Sequence, residues 1–318
     1  MTKLGTSDLD VSTLCLGTNV FGWTVDEAAA HAVLDAYAAG GGTFVDTADA
    51  YSAWLPGNEG GESEAIIGNW LGAHPERRDD LVVATKVGSL ASAKGLSRAS
   101  ILKGAEDSLR RLQTDRIDLY WAHIDDEDTP LDETLGAFGE LIAAGKVRAI
   151  GASNYSAPRL AEALDVARRE NLPAYVALQP NYNLMDRAAY EDGPAGVVAE
   201  HGLATVPYFG LARGFLTGKY RPGGPDVDSP RAPAAAAYLE RGGAAVLDAL
   251  DELAAAHDAP VAAIALAWLA AQPNVVSPIA SARTVQQLED LLPVNDLALS
   301  DDEIALLSAA SAGASPGA

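Results

Sequence analysis

Cysteine is almost missing from this chain. The single one, Cys15, lies in the apolar run Leu14-Cys15-Leu16, so no intrachain disulfide can form and a buried, inert thiol is expected. Basic residues are scarce. There are 22 lysines and arginines against 44 aspartates and glutamates, a formal net charge of −22. Such a chain lacks the basic face that non-specific binding to nucleic acid or an anionic membrane requires. The acidity is spread along the chain, where it keeps an alanine-rich surface soluble. A long apolar run is also absent; Val261 to Ala271 comes nearest and is too short to cross a bilayer. The N-terminus, Met-Thr-Lys-Leu-Gly, has no apolar segment of the signal-peptide kind. These absences predict a soluble cytoplasmic protein without nucleic-acid or membrane partners, and no metal site is expected. An anionic ligand would need a local basic pocket.

What is present is a rhythm. With 318 residues, 48% of them hydrophobic, the chain can form one large α/β domain or two ordinary ones. Residues 3 to 12, with the turn Gly5-Thr6-Ser7-Asp8, suit a small hairpin. Short apolar runs then follow at Leu14–Leu16, Thr43–Val45, Leu81–Thr85, Ile117–Trp121, Val147–Gly151, Val176–Leu178, Ala204–Pro207 and Val275–Pro278. Helical spacing fills the gaps. From Glu27 to Ala39, for instance, Ala30, Val33, Leu34, Tyr37 and Ala38 fall on one face. Strands this apolar are buried on both faces, as parallel strands are. Eight such units predict a (β/α)8 TIM barrel, in one domain over residues 1–318. An open doubly wound sheet is the alternative. It would ask for a G-x-G-x-x-G turn after the first strand, which Gly17-Thr18-Asn19-Val20-Phe21-Gly22 does not supply. The rhythm breaks after the seventh strand, where Gly210–Pro233 reads as a long functional loop. Extra helical patterns follow over Ala234–His257 and Val261–Ala271. Asp301–Ala310 reads as a last helix outside the barrel, and 311–318 as a disordered tail.

Barrel chemistry gathers at the C-terminal ends of the strands. The second strand delivers Asp46 and then Tyr51, the third Lys86, the fourth His123. Taken singly, these are a turn residue, a loop aromatic, half of a structural ion pair and a strand-end histidine. Together they suit proton transfer. An ammonium beside a tyrosine favours the phenolate and is expected to lower its pKa from about 10, which makes it a usable general acid. A histidine in the same cleft can orient a substrate oxygen.

These residues carry a resemblance. Asp-Thr-Ala-Asp-Ala-Tyr at 46–51, Gly-Glu-Ser-Glu-Ala-Ile-Ile-Gly at 61–68, Ala-Thr-Lys-Val-Gly at 84–88 and Leu-Tyr-Trp-Ala-His at 119–123 look like the aldo-keto reductase superfamily. So do Gly-Lys-Val-Arg-Ala-Ile-Gly-Ala-Ser-Asn at 145–154, Leu-Thr-Gly-Lys-Tyr at 216–220 and Ala-Arg-Thr-Val-Gln-Gln-Leu at 282–288. The matches keep the family's order along nearly the whole chain. The resemblance implies a barrel enzyme that reduces an aldehyde or ketone with NADPH. Tyr51 would be the proton donor, Lys86 and Asp46 its support, and His123 the orienting group. Ser153, Asn154 and Gln179 would hold the nicotinamide carboxamide, and Tyr208 would stack on its ring. Gly17, Thr18 and Asn19 would line the cofactor site. So would Gly210, Leu211, Gly214, Leu216, Gly218, Lys219 and Arg231 of the long loop, with Arg213 and Arg221 adding charge. Ser281, Arg283, Gln287 and Asp290 would meet the adenosine end, the arginine favouring NADP+/NADPH over the unphosphorylated cofactor. Trp23, Trp54 and Tyr155 would wall an apolar substrate pocket. Three departures stand out: Phe209-Gly210 where many relatives have Ser-Pro, Asp290-Leu291 where they have Glu-Asn, and a loop from Ser52 to Gly60 longer than in many relatives, which would bring Trp54 near Tyr51. The expected partner is a small carbonyl compound, and the expected state a monomer or weak homo-oligomer. A cofactor-binding regulatory subunit and a lyase using Lys86 as a Schiff-base nucleophile are the alternatives.

Overall fold

The apolar runs pair side by side as parallel strands. A computed structural model describes residues 1–313. The hairpin is β1 (Thr2–Lys3) with β2 (Asp10–Val11), paired antiparallel. The barrel strands are β3 (Cys15–Gly17), β4 (Phe44–Asp46), β5 (Val82–Val87), β6 (Ile117–Ala122), β7 (Val147–Ser153), β8 (Ala177–Gln179), β9 (Ala204–Thr205) and β10 (Ile279–Ala280). Their order in the sheet is β10-β3-β4-β5-β6-β7-β8-β9, each pair parallel. Backbone bonds close the ring between β9 and the chain entering β10: Thr205 N to Asn274 O at 2.7 Å, Val276 N to Thr205 O at 3.0 Å and Ile279 N to Pro207 O at 2.9 Å. The last strand thus starts later than the expected Val275–Pro278. Pro278 has no N–H for a ladder, and Val275 makes only an isolated bridge to Thr205.

Helices cover the outside: α1 (Glu27–Ala39), α2 (Glu62–Ala73), α3 (Arg98–Leu112), α4 (Leu131–Ala143), α5 (Ala157–Glu170), the short α6 (Ala188–Glu191) and α7 (Ala195–His201). Their starts follow local chemistry. Asp26, Ser97 and Ser156 accept backbone N–H bonds as N-caps, and Pro158 stands in the first turn of α5. After β9 come α8 (Ala232–Ala236), α9 (Gly243–His257) and α10 (Val261–Ala270), and after β10 come α11 (Val285–Glu289) and α12 (Asp301–Ser311). The expected continuous pattern Ala234–His257 is broken at Gly242, whose φ of 81° only glycine adopts easily. Among the described residues no single helix is long and apolar enough to cross a membrane.

Two cores result. The outer one fills the space between strands and helices. The inner one fills the barrel, and Leu4, Leu9 and Val11 of the hairpin segment plug its lower end. The expected tail needs correction at its start. Ser311 is the buried last residue of α12, and Arg187 Nη1 donates to its hydroxyl at 2.8 Å. Residues 314–318 of that tail lie outside the described residues.

Candidate active site

Strand alternation decides which side chains reach the open end of the barrel. Successive residues point inward and outward in turn. Phe44, Ala84, Trp121, Ala149 and Ala177 fill the interior. The inward positions further along are Asp46 on β4, Lys86 on β5, His123 just past β6, Ser153 ending β7 and Gln179 ending β8. The same alternation from Ala204 through Val206 brings Tyr208 to this rim. Gly151 leaves room for the inward Trp121; a Cβ there would stand 2.3 Å from its ring.

Lys86 is fully buried, and its ammonium has three partners. They are Asp46 Oδ2 at 2.5 Å, the Thr47 carbonyl at 2.7 Å and the Tyr51 hydroxyl at 2.9 Å. The other Asp46 oxygen accepts from Gln179 Nε2 at 3.0 Å. A buried charge is tolerated when it is paired and its bonds are filled, as here. Burial works against the ammonium, but Asp46 and Tyr51 outweigh it and push the Lys86 pKa up to about 12. Tyr51 departs from expectation. Burial is the largest influence on it, the pull of Lys86 is second, and its pKa is pushed up to about 12 instead of down. The phenol therefore keeps its proton across the neutral range. Burial, and then the Lys86 charge, push His123 down to about 3, so its imidazole is neutral. Its Nδ1 is buried with no hydrogen-bond partner among the described residues, and its ring lies 6.2 Å from that of Tyr51. A neutral imidazole offers one N–H donor.

Asn154 ties three strand ends together. Its Nδ2 donates to the His123 carbonyl at 3.1 Å and to Ser153 Oγ at 3.0 Å, while its Oδ1 accepts from the Tyr208 hydroxyl at 2.8 Å. Ser153 Oγ in turn donates to the Gln179 carbonyl at 3.0 Å.

Beside these groups opens a cavity of about 620 Å³. Tyr51, Asp46, His123, Ser153, Asn154, Gln179 and Tyr208 form one wall, and Trp23 stands on the rim. Gly17 and Asn19, then Gly210, Leu211, Gly214, Lys219 and Arg231, then Ser281, Arg283, Gln287 and Asp290 form much of the rest. Ser281 Oγ donates to Asn19 Oδ1 at 3.0 Å, and Gln287 Oε1 accepts from the Arg283 backbone at 2.9 Å. Arg213, Lys219, Arg231 and Arg283 all face this space. Among the described residues none of the four forms an ion pair, whereas nearby Arg221, outside the lining, pairs with Asp251 at 2.7 Å. Burial, followed by the charge of Arg283, lowers Lys219. Burial, followed by the charge of Arg213, lowers Arg231. Four cations, several of them repelling one another, thus face one cavity in a chain of net −22, an arrangement chemically suited to an anion.

Several expected residues lie elsewhere. Thr18 is buried behind the wall, its N–H and hydroxyl both donating to the Asp46 carbonyl at 3.0 Å. Leu216 is in the outer core, and Gly218 caps a turn with φ 81°. Tyr155 is a packing residue whose hydroxyl meets that of Tyr175 at 3.2 Å. Trp54 is exposed and leans edge-on against Trp23 and Tyr51, with ring centroids 5.5 and 6.5 Å apart. It stands outside the lining. Thr24, Thr217, Ser229 and the start of α10 at Val261 line the cavity without having been singled out. Thr24 carries a buried hydroxyl with no partner among the described residues, a property no sequence pattern displays. Phe209, the unusual residue after Tyr208, has φ 54° and lies 4.2 Å beneath the Arg213 guanidinium.

Comparison with known proteins follows the same lines. A family model described as aldo/keto reductase family matches residues 13–312. The chain is 35% identical to an uncharacterized oxidoreductase of Bacillus subtilis, YrpG, over 96% of this chain and 94% of that one. It is 34% identical to protein tas of Escherichia coli over 95% of each. It is also 34% identical to a probable voltage-gated potassium channel subunit beta of Oryza sativa subsp. japonica, covering 93% of this chain and 90% of the other.

Proposed function

The chain belongs to the aldo/keto reductase family, and from that premise we propose that it reduces an aldehyde or ketone to the alcohol with NADPH, using Tyr51 as proton donor. The observation that carries this is the buried line Asp46–Lys86–Tyr51, with Lys86 Nζ 2.5 Å from the carboxylate and 2.9 Å from the phenol. The four unpaired cations of the cavity suit the phosphates of a dinucleotide, and Arg283 with Lys219 suits an additional phosphate beside Ser281 and Gln287. When bound, the nicotinamide supplies the hydride. As the carbonyl oxygen gains charge, Tyr51 gives it the hydroxyl proton. An alkoxide is a stronger base than a phenolate, so this transfer is downhill even from a phenol at about 12. Lys86 stabilises the phenolate left behind, and Asp46 holds Lys86 in place. Neutral His123 donates its N–H to the same oxygen and fixes its orientation. Catalysis by a soluble cytoplasmic protein on a small carbonyl compound fits these groups.

The test is loss of NADPH absorbance across a panel of aldehydes and ketones, with wild type and Tyr51→Phe. Turnover that Tyr51→Phe abolishes supports the assignment, and turnover that survives it removes Tyr51 as donor. The likeness to the rice protein supports a second reading, a cofactor-binding regulatory subunit. Tight NADPH binding without turnover on any carbonyl would favour that one.

A further inference from the structure

The stretch Gly61-Glu62-Ser63-Glu64-Ala65-Ile66-Ile67-Gly68 does not reach the cavity; it builds a buried charge pair behind it. Glu64 on α2 is fully buried. Its Oε1 accepts from Thr85 Oγ1 at 2.5 Å, and its Oε2 from Arg111 Nε at 2.6 Å. Both glycines clear the path of Arg111. A Cβ on Gly61 would stand 2.3 Å from Arg111 Nε, and one on Gly68 would stand 2.0 Å from the Arg111 carbonyl oxygen. Thr85 precedes Lys86 on β5. The pair therefore grips the outward face of the strand whose inward face carries Lys86.

Asp49 lies against this pair, in the loop that joins Asp46 to Tyr51. It is 1% exposed, and neither carboxyl oxygen has a hydrogen-bond partner among the described residues. Its backbone N–H approaches the Lys86 carbonyl at 3.4 Å. Among the described residues, the charged and titratable groups around it are Glu64 from α2, Arg111 from α3, Lys86 from β5 and the hydroxyl of Tyr120 from β6, which has no hydrogen-bond partner among them. Arg111 is already engaged by Glu64. The guanidinium thus bonds only one of two neighbouring carboxyl groups. A second carboxylate here would be buried without a partner, a cost that proteins avoid by keeping the proton. Burial, and then repulsion from Glu64, push Asp49 up to about 8.

We propose that Asp49 is a positioning residue that works as a neutral acid. Its protonated carboxyl lets the loop from Asp46 to Tyr51 lie against the Glu64–Arg111 pair, and its ionisation draws Tyr51 away from Lys86. The effect on activity rests on the reductase reading above; the ionisation itself does not. Asp49→Asn copies the neutral acid, and Asp49→Ala removes it.

Two measurements test this. In the first, kcat/KM of wild type falls as pH rises through about 8, while Asp49→Asn holds its neutral-pH activity to a pH at least about one unit higher. The second needs no turnover. Between the ordinary carboxyl value of 3.8 and about 8, folded Asp49 holds a proton that the unfolded chain has released. Stability from this group therefore falls as pH rises through that window. Asp49→Asn removes that slope, so its unfolding midpoint exceeds that of wild type by a margin that widens from pH 5 to pH 8. Asp49→Ala is expected to lose activity even at neutral pH. A loss of about 100-fold in Asp49→Asn at pH 7, or an alkaline fall and a thermal slope unchanged from wild type, would overturn the proposal. If wild type turns over no carbonyl, the reductase reading fails and the thermal curves alone decide on Asp49.

Discussion

The two sides of the cavity are built on opposite plans. On the strand-end side, Asp46, Lys86 and Gln179 follow directly from β4, β5 and β8, and their polar atoms are matched one to one. On the loop side, Arg213, Lys219 and Arg231 hang from a connection with left-handed backbone at Phe209, Ala212 and Arg213; among the described residues none of them forms an ion pair, Arg213 repels Arg231, and Arg283 repels both Lys219 and Arg231. The arrangement of Asp46, Lys86 and Gln179 is complete within the chain. The second would gain from an anion that supplies the missing charge. The strand ends thus carry the groups proposed for chemistry and the loop side those proposed for binding.

Lys86→Met breaks the first plan and carries the largest expected effect. Turnover should fall about 10²–10⁴-fold, since the general acid loses its support. Stability should fall by about 3–5 kcal/mol, because Asp46 is left buried and unpaired, as urea unfolding would read. NADPH affinity should barely change. Arg283→Ala breaks the second plan. Fluorescence titration should give NADPH binding about 10–100-fold weaker, the weight of a charge-assisted hydrogen bond of about 1.5–3 kcal/mol. NADH binding and kcat at saturation should be nearly unaffected. Gly68→Ala should be milder. Its methyl meets the Arg111 carbonyl oxygen at 2.0 Å, and overpacking of this kind costs about 1–3 kcal/mol in chemical denaturation. The smallest expected effect is a flat one. With His123 pushed down to about 3, kcat/KM should show no histidine step between pH 5 and 7. The stability His123 contributes as a neutral group is complete above its unfolded value of about 6.5 and is lost as pH falls towards 3.

Much of the strand-end side was legible in the sequence because it depends on local pattern. An apolar run fixes a buried strand, alternation fixes its inward face, and the first residue past the run is Asp46 or Lys86, with His123 two past the fourth run. The bounds of helix α1 were readable from its helical spacing over Glu27–Ala39. The loop side was less legible because its geometry is tertiary. Leu216 lies in the same glycine-rich stretch as Lys219, yet it turns into the outer core. Tyr155 follows Asn154 directly, yet it packs on Tyr175. The direction of the Tyr51 shift also escaped sequence reasoning. A neighbouring ammonium can be read from motif order, but the burial that outweighs it belongs to the folded chain.

A double-mutant cycle tests the separation of the two sides most directly. Lys86→Met, Arg283→Ala and the double variant would be compared in kcat/KM for NADPH. If one side does chemistry and the other binds, the two losses should add within about 0.3–0.5 kcal/mol, as they do for independent distant sites. A coupling above about 1 kcal/mol would mean that the two sides act as one unit and would contradict the account.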